Sequence, residues 1–85
     1  MTYSIFILPR AQREIATLGV AERVRTKAAI EALRENPRPT GCTKLSGREG
    51  WRIRIGNYRV IYEVDDAAGS VMILHVGHRR DVYRS

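Results

Sequence analysis

The sequence predicts an α+β fold of order β-α-α-β-β-β, with two N-terminal helices packed on one face of a small, twisted, mostly antiparallel sheet. Three observations carry this expectation. Apolar residues recur at helical spacing in the first half of the chain, and strict alternation runs through residues 51–64. Gly56-Asn57 interrupts that alternation as a two-residue hairpin signal. The 85 residues are expected to form a single domain over 1–85. A chain of this size buries only about 60–65% of the surface it exposes when unfolded, which argues against a deep cofactor crevice. No cofactor is expected.

Residues 3–8 are short, apolar and partly aromatic or β-branched, as a strand requires. Pro9 ends that strand and suits the first turn of a helix, where its missing N–H has no intrahelical partner to lose. Ala11, Ile15 and Leu18 then follow at helical spacing, and Gly19 is a natural C-terminal stop. A second helix is expected over residues 21–35. Val20, Val24 and Ala28 form one apolar row and Ile30 and Leu33 another, which predicts a broad buried stripe. Asn36-Pro37 closes it. Residues 36–50 show no useful periodicity, and a loop of that length in a small domain tends to be functional or mobile. Leu45 is expected to pin it to the core.

Residues 51–64 form the clearest passage. Trp51, Ile53 and Ile55 alternate with Arg52 and Arg54, and Tyr58, Val60, Tyr62 and Val64 alternate with Arg59, Ile61 and Glu63. A turn at residues 65–70 leads to a last strand over 71–76 and a polar tail over 77–85. If Gly56-Asn57 is the whole loop, Ile55 pairs with Tyr58 and Arg54 stands opposite Arg59, with Arg52 on the same face. Trp51, Ile53, Ile55, Tyr58, Val60 and Tyr62 share the other face, beneath the helices.

Fifteen basic residues against nine acidic ones leave a net charge of +6, and thirteen of the fifteen are arginine. That excess points to a polyanionic partner, because each neutralised phosphate releases counterions and a guanidinium grips two phosphate oxygens at once. Charge density peaks over residues 44–59, with five basic residues and one acid. Like charges opposite each other in a sheet are destabilising, so Arg52, Arg54 and Arg59 predict an anion-binding platform. The structural alternative is a solvated face balanced by Glu63 and loop carboxylates. Lys44 and Arg48 in the loop and Arg79, Arg80 and Arg84 in the tail extend the platform in sequence.

Other chemistry is sparse. Cys42 is the sole cysteine, which excludes an internal disulfide and fits a reducing compartment. His75 and His78 are three apart on a strand, so they face opposite ways and share no metal; no metal site is expected. His78 is a candidate for proton transfer, set against a packing role. Tyr83 is a candidate for stacking on a base, set against packing on the sheet edge. The N-terminus lacks a basic leader, and no run approaches the roughly 20 apolar residues of a membrane span. The expectation is a cytoplasmic protein with no membrane partner.

Two passages carry a resemblance. Residues 51–62, Trp-Arg-Ile-Arg-Ile-Gly-Asn-Tyr-Arg-Val-Ile-Tyr, and residues 76–83, Val-Gly-His-Arg-Arg-Asp-Val-Tyr, resemble the RelE/ParE superfamily of toxin–antitoxin modules. Asn36-Pro37, the Lys44-Leu45-Ser-Gly stretch and the strand–helix–helix opening agree, so the likeness covers essentially the whole chain. It implies a metal-independent endoribonuclease, an mRNA interferase. Such a toxin enters the ribosomal A site and cuts mRNA through attack of a ribose 2′-OH on the adjacent phosphate. It also implies a cognate antitoxin that wraps the toxin, with operator DNA bound only through that complex. By position, the family's active residues fall on Arg52, Arg54, Arg59, Arg79 and Tyr83, with Lys44, Arg48, Arg80 and Arg84 as further RNA contacts. Well-studied ribonucleases of the family carry lysines at the Arg52 and Arg54 positions. Arginine stays protonated, so the general base is left open, with His78 or the ribosome-bound RNA as candidates. The alternatives are a ParE-like inhibitor of DNA gyrase without enzymatic activity, and a degenerate member acting only in the antitoxin and operator complex.

Overall fold

The computed structural model describes residues 2–47 and 49–78. Its elements are β1 (Ser4–Ile7), α1 (Pro9–Ala16), α2 (Val20–Ala32), β2 (Thr43–Lys44), β3 (Trp51–Ile55), β4 (Tyr58–Asp65) and β5 (Ser70–His78). The strands form one sheet in the order β1-β5-β4-β3-β2, antiparallel throughout except for the parallel pair β1 and β5. The two helices carry the chain from β1, at one edge, to β2 at the other. The α+β architecture expected from the sequence is therefore present, with one element added. Residues 36–50 contain the two-residue edge strand β2, too short to leave a periodic signal.

Element ends follow local chemistry. Pro9 occupies the first turn of α1, whose N-cap, Leu8, offers no side-chain hydrogen bond. Helix α1 stops at Ala16, where the Thr17 hydroxyl donates to the Glu14 carbonyl oxygen at 2.7 Å. Gly19, expected to end the first helix, is instead the N-cap of α2. Gly56 takes φ of 60°, and no non-glycine residue among those described has positive φ, so Gly56-Asn57 makes a hairpin turn with glycine at its first position. The polar tail expected from residue 77 starts later, since β5 runs on to His78.

The core lies between the helices and one face of the sheet. Ala11, Ile15 and Leu18 from the α1 side and Ile30 and Leu33 from the α2 side meet Ile53, Val60, Tyr62, Val71, Ile73 and Val76. The buried stripe of α2 is narrower than the sequence suggests. Val20 and Val24 are 69% and 62% exposed, and the inward row is Thr26, Ile30 and Leu33. Two apolar rows at helical spacing cannot both face a single sheet from a helix of 13 residues, and the row of Ile30 and Leu33 is the one that packs.

Strand β5 outlasts its neighbour. Its ladder with β1 ends at Ile7↔Ile73, followed by a hydrogen bond from Leu8 N–H to the Ile73 carbonyl at 3.0 Å. Beyond it, Glu14 of α1 covers the flank: its carboxylate accepts the Val76 N–H at 2.9 Å and meets His75 Nδ1 at 2.8 Å. A side chain thus satisfies a donor that the sheet edge would otherwise leave to water.

Candidate nucleic-acid interface

The hairpin register places Arg54 opposite Arg59, Ile55 opposite Tyr58 and Arg52 opposite Ile61. Strand β5 continues the rows, with Gly77 beside Arg59 and His75 beside Ile61. Strand β2 adds Thr43 beside Arg52. Side chains directly opposite share a face, so two parallel rows cross the sheet on the side away from the helices. One is Arg54–Arg59–Gly77 and the other Thr43–Arg52–Ile61–His75. The three arginines expected together are together.

Their exposure differs, which the sequence did not suggest. Arg54 is exposed and Arg52 half-buried, while Arg59 is only 2% exposed. Arg59 lies on β4, the central strand of five, and Arg54 on β3, one strand from the edge. A guanidinium this deep keeps its charge in a low-dielectric setting, where its pull on an anion is stronger than in water. Gly77, with no side chain, stands next to it across the strands. A cleft of about 470 Å³ opens beside β3, with Arg52, Arg54 and Ile55 on one wall and Ala29 and Ala32 of α2 on the other.

The remaining candidates separate. Lys44 does not extend the arginine rows. It pairs with Trp51, shares that residue's face, and sets its ammonium 5.4 Å from the indole centroid. Arg48, Arg79, Arg80, Tyr83 and Arg84 lie outside the described residues. His78 is exposed and packs edge-on against Tyr58, with ring centroids 5.9 Å apart. Among the described residues no group of three His, Cys, Asp or Glu side chains is placed to hold a metal ion.

Comparison with known proteins follows the same lines. The family model described as the ParE toxin of the type II toxin–antitoxin system parDE matches residues 5–83. The chain belongs to this toxin family. A 31-residue stretch of this ParE-family chain is 52% identical to Toxin RelG of Mycobacterium tuberculosis (strain ATCC 25618 / H37Rv), a match spanning 36% of each chain. Among solved structures, the archaeal RelE–RelB complex from Pyrococcus horikoshii contains a chain 29% identical to it. That match has a TM-score of 0.84 and covers 93% of this chain and 97% of the other. The isolated E. coli RelE toxin is 30% identical with a TM-score of 0.78, covering 96% and 92%. The fold is thus that of RelE and ParE toxins.

The toxin also holds a polar clasp that sequence reasoning missed. Two Arg38 nitrogens donate to the two oxygens of Asp66, at 3.2 and 2.8 Å, and Tyr3 O–H donates to the same carboxylate at 2.8 Å. The Arg38 guanidinium lies 5.3 Å from the Trp51 ring centroid, so the indole carries two cations. Arg38, then Tyr3, hold Asp66 below the usual carboxylate range. Beside the clasp, Tyr62 O–H donates to the Pro37 carbonyl at 2.7 Å, and burial, then the neighbouring Cys42, push its phenol upward. These contacts tie the loop after α2 to the start of β1 and the β4–β5 turn. Their partners lie 28 and 63 residues apart in the chain, a spacing that leaves no local signal. Among the described residues no helix is long and apolar enough to cross a membrane.

Proposed function

We propose that this toxin is an mRNA interferase, an endoribonuclease that cuts ribosome-bound mRNA in the A site and so halts translation in the cytoplasm. The observation that carries the proposal is the cross-strand pair Arg54 and Arg59, with Arg52 on the same face. In the proposed reaction a ribose O2′ attacks the adjacent phosphorus and the bond to O5′ breaks, leaving a 2′,3′-cyclic phosphate and a 5′-OH. Negative charge builds on the phosphoryl oxygens as the transition state forms. Arg52, Arg54 and Arg59 clamp those oxygens, and preorganised charges of this kind are worth several kcal/mol of barrier. Arg79 adds to the clamp or shields the leaving oxygen, and Tyr83 stacks on or orients a base. Arg48, Arg80 and Arg84 contact the RNA backbone. Lys44 belongs to the RNA contacts only where the strand wraps the β2 edge.

The partner is a cognate antitoxin that covers the basic face, with operator DNA reached only through that complex. Two solved neighbours support this, being RelE proteins bound to RelB in Pyrococcus horikoshii and E. coli.

The family model favours one second reading, a ParE-like inhibitor of DNA gyrase with no enzymatic activity. Purified toxin separates the two. The interferase stops synthesis in a reconstituted translation system and leaves gyrase supercoiling intact. The gyrase inhibitor does the reverse.

A further inference from the structure

None of the three arginines can accept the proton of a 2′-hydroxyl, because arginine remains protonated. The geometry points to His75 as the general base of this site, with Glu14 as the residue that positions it. The inference rests on the nuclease reading above.

His75 stands in the same cross-strand row as Arg52, with Ile61 between them. It is also the diagonal neighbour of Arg59, since Arg59 pairs with Gly77, two residues further along β5. Diagonal pairs lie about 7–8 Å apart at the backbone, within reach of an arginine and an imidazole that share one nucleotide. The ladder slips between Ile61 and Tyr62. Such irregularities re-aim side chains at functional sites, and this one lies next to His75.

The Glu14 carboxylate holds His75 Nδ1 at 2.6 and 2.8 Å from its two oxygens. The same carboxylate is anchored by Val76 N–H at 2.9 Å and by Arg10 Nε at 3.3 Å. An Nδ1–H donated to a carboxylate makes Nε2 the proton acceptor of the neutral ring, and a charged partner stabilises the imidazolium formed during reaction. Charged groups near the ring among the described residues include Glu14 and, through it, Arg10 from α1, with Arg59 from β4 on the diagonal. In the step, His75 Nε2 takes the proton from the 2′-hydroxyl as O2′ bonds to phosphorus. The P–O5′ bond breaks, the leaving oxygen takes a proton from water, and the imidazolium returns its proton to solvent.

Single-turnover cleavage of mRNA on programmed ribosomes tests this with wild type, His75→Gln, His75→Ala and Glu14→Gln. His75→Gln and His75→Ala each lose at least about 10²-fold in rate. Free imidazole restores a measurable part of the His75→Ala rate, which a purely structural histidine would not allow. Glu14→Gln slows the chemical step while the ribosome concentration giving half-maximal rate stays unchanged. A His75→Gln protein cutting at the wild-type rate, or a slow His75→Ala protein that imidazole leaves slow, overturns the assignment while the nuclease reading stands. A wild-type protein that cuts nothing removes both.

Discussion

Arg54 and Arg59 face each other directly across the β3–β4 hairpin, one exposed and the other 2% exposed, so two like charges share a cross-strand site at unequal depth. The exposed member separates function from folding. Arg54→Ala is expected to leave thermal stability within about 0.5 kcal/mol of wild type, as surface changes usually do. Its toxicity falls by about 10²-fold, the loss typical of removing one preorganised donor to a transition-state anion. Melting curves and growth-arrest assays on the same variant check both halves.

The clasp predicts an acid-sensitive reporter. Arg38, first, and Tyr3 lower the Asp66 pKa in the folded state. A depressed carboxylate contributes stability above its unfolded value, near 3.9, and that contribution is lost as pH falls through the lower folded value. Trp51 is the only tryptophan and carries Arg38 on its ring. Its fluorescence should therefore shift in acid below about pH 4 before global unfolding. In Asp66→Asn that step should be absent, which a fluorescence titration reads directly.

Tyr62 anchors the loop after α2 from inside the core. Tyr62→Phe keeps the ring and removes only the hydroxyl that donates to the Pro37 carbonyl. The expected cost is about 1–2 kcal/mol, since a buried acceptor loses its partner. Urea denaturation at neutral pH measures it.

The inward row of α2 predicts a contrast within one helix. Ile30→Ala, at a residue 3% exposed, should cost about 2–5 kcal/mol. Val24→Ala should be near neutral, because the side chain is mostly in water. Equal losses in chemical denaturation would contradict the orientation of α2 described above.

Gly56 is expected to tolerate little. With φ of 60°, its left-handed backbone costs an L-residue roughly 1–2 kcal/mol, and an added Cβ would stand 3.6 Å from the Arg25 guanidinium. Gly56→Ala should lower stability by that amount, read by thermal melting.

What was legible in the sequence is what short-range pattern encodes. Alternation and a two-residue turn suffice to derive the hairpin register, and the register brings Arg52, Arg54 and Arg59 to one face without further input. The depth of Arg59 was not legible, because alternation assigns it to the same face as the exposed Glu63 and says nothing of burial on that face. The same holds for Glu14 and His75, whose contact exists only because β5 outruns β1 and α1 closes the gap. Val20 and Val24 misled for a related reason. Periodicity shows that a helix has an apolar row and leaves open which of two rows meets the sheet. Arg38 and Asp66 sit in irregular segments, where pairing leaves no periodic trace.

Cleavage of mRNA on the ribosome by the arginine face is read most directly by mapping RNA ends in a bacterial cell-free translation reaction. New 5′-OH ends within codons are expected when toxin and ribosomes are both present, strongly reduced with Arg54→Ala. Intact mRNA with undiminished protein synthesis, from a folded wild-type protein, would contradict it.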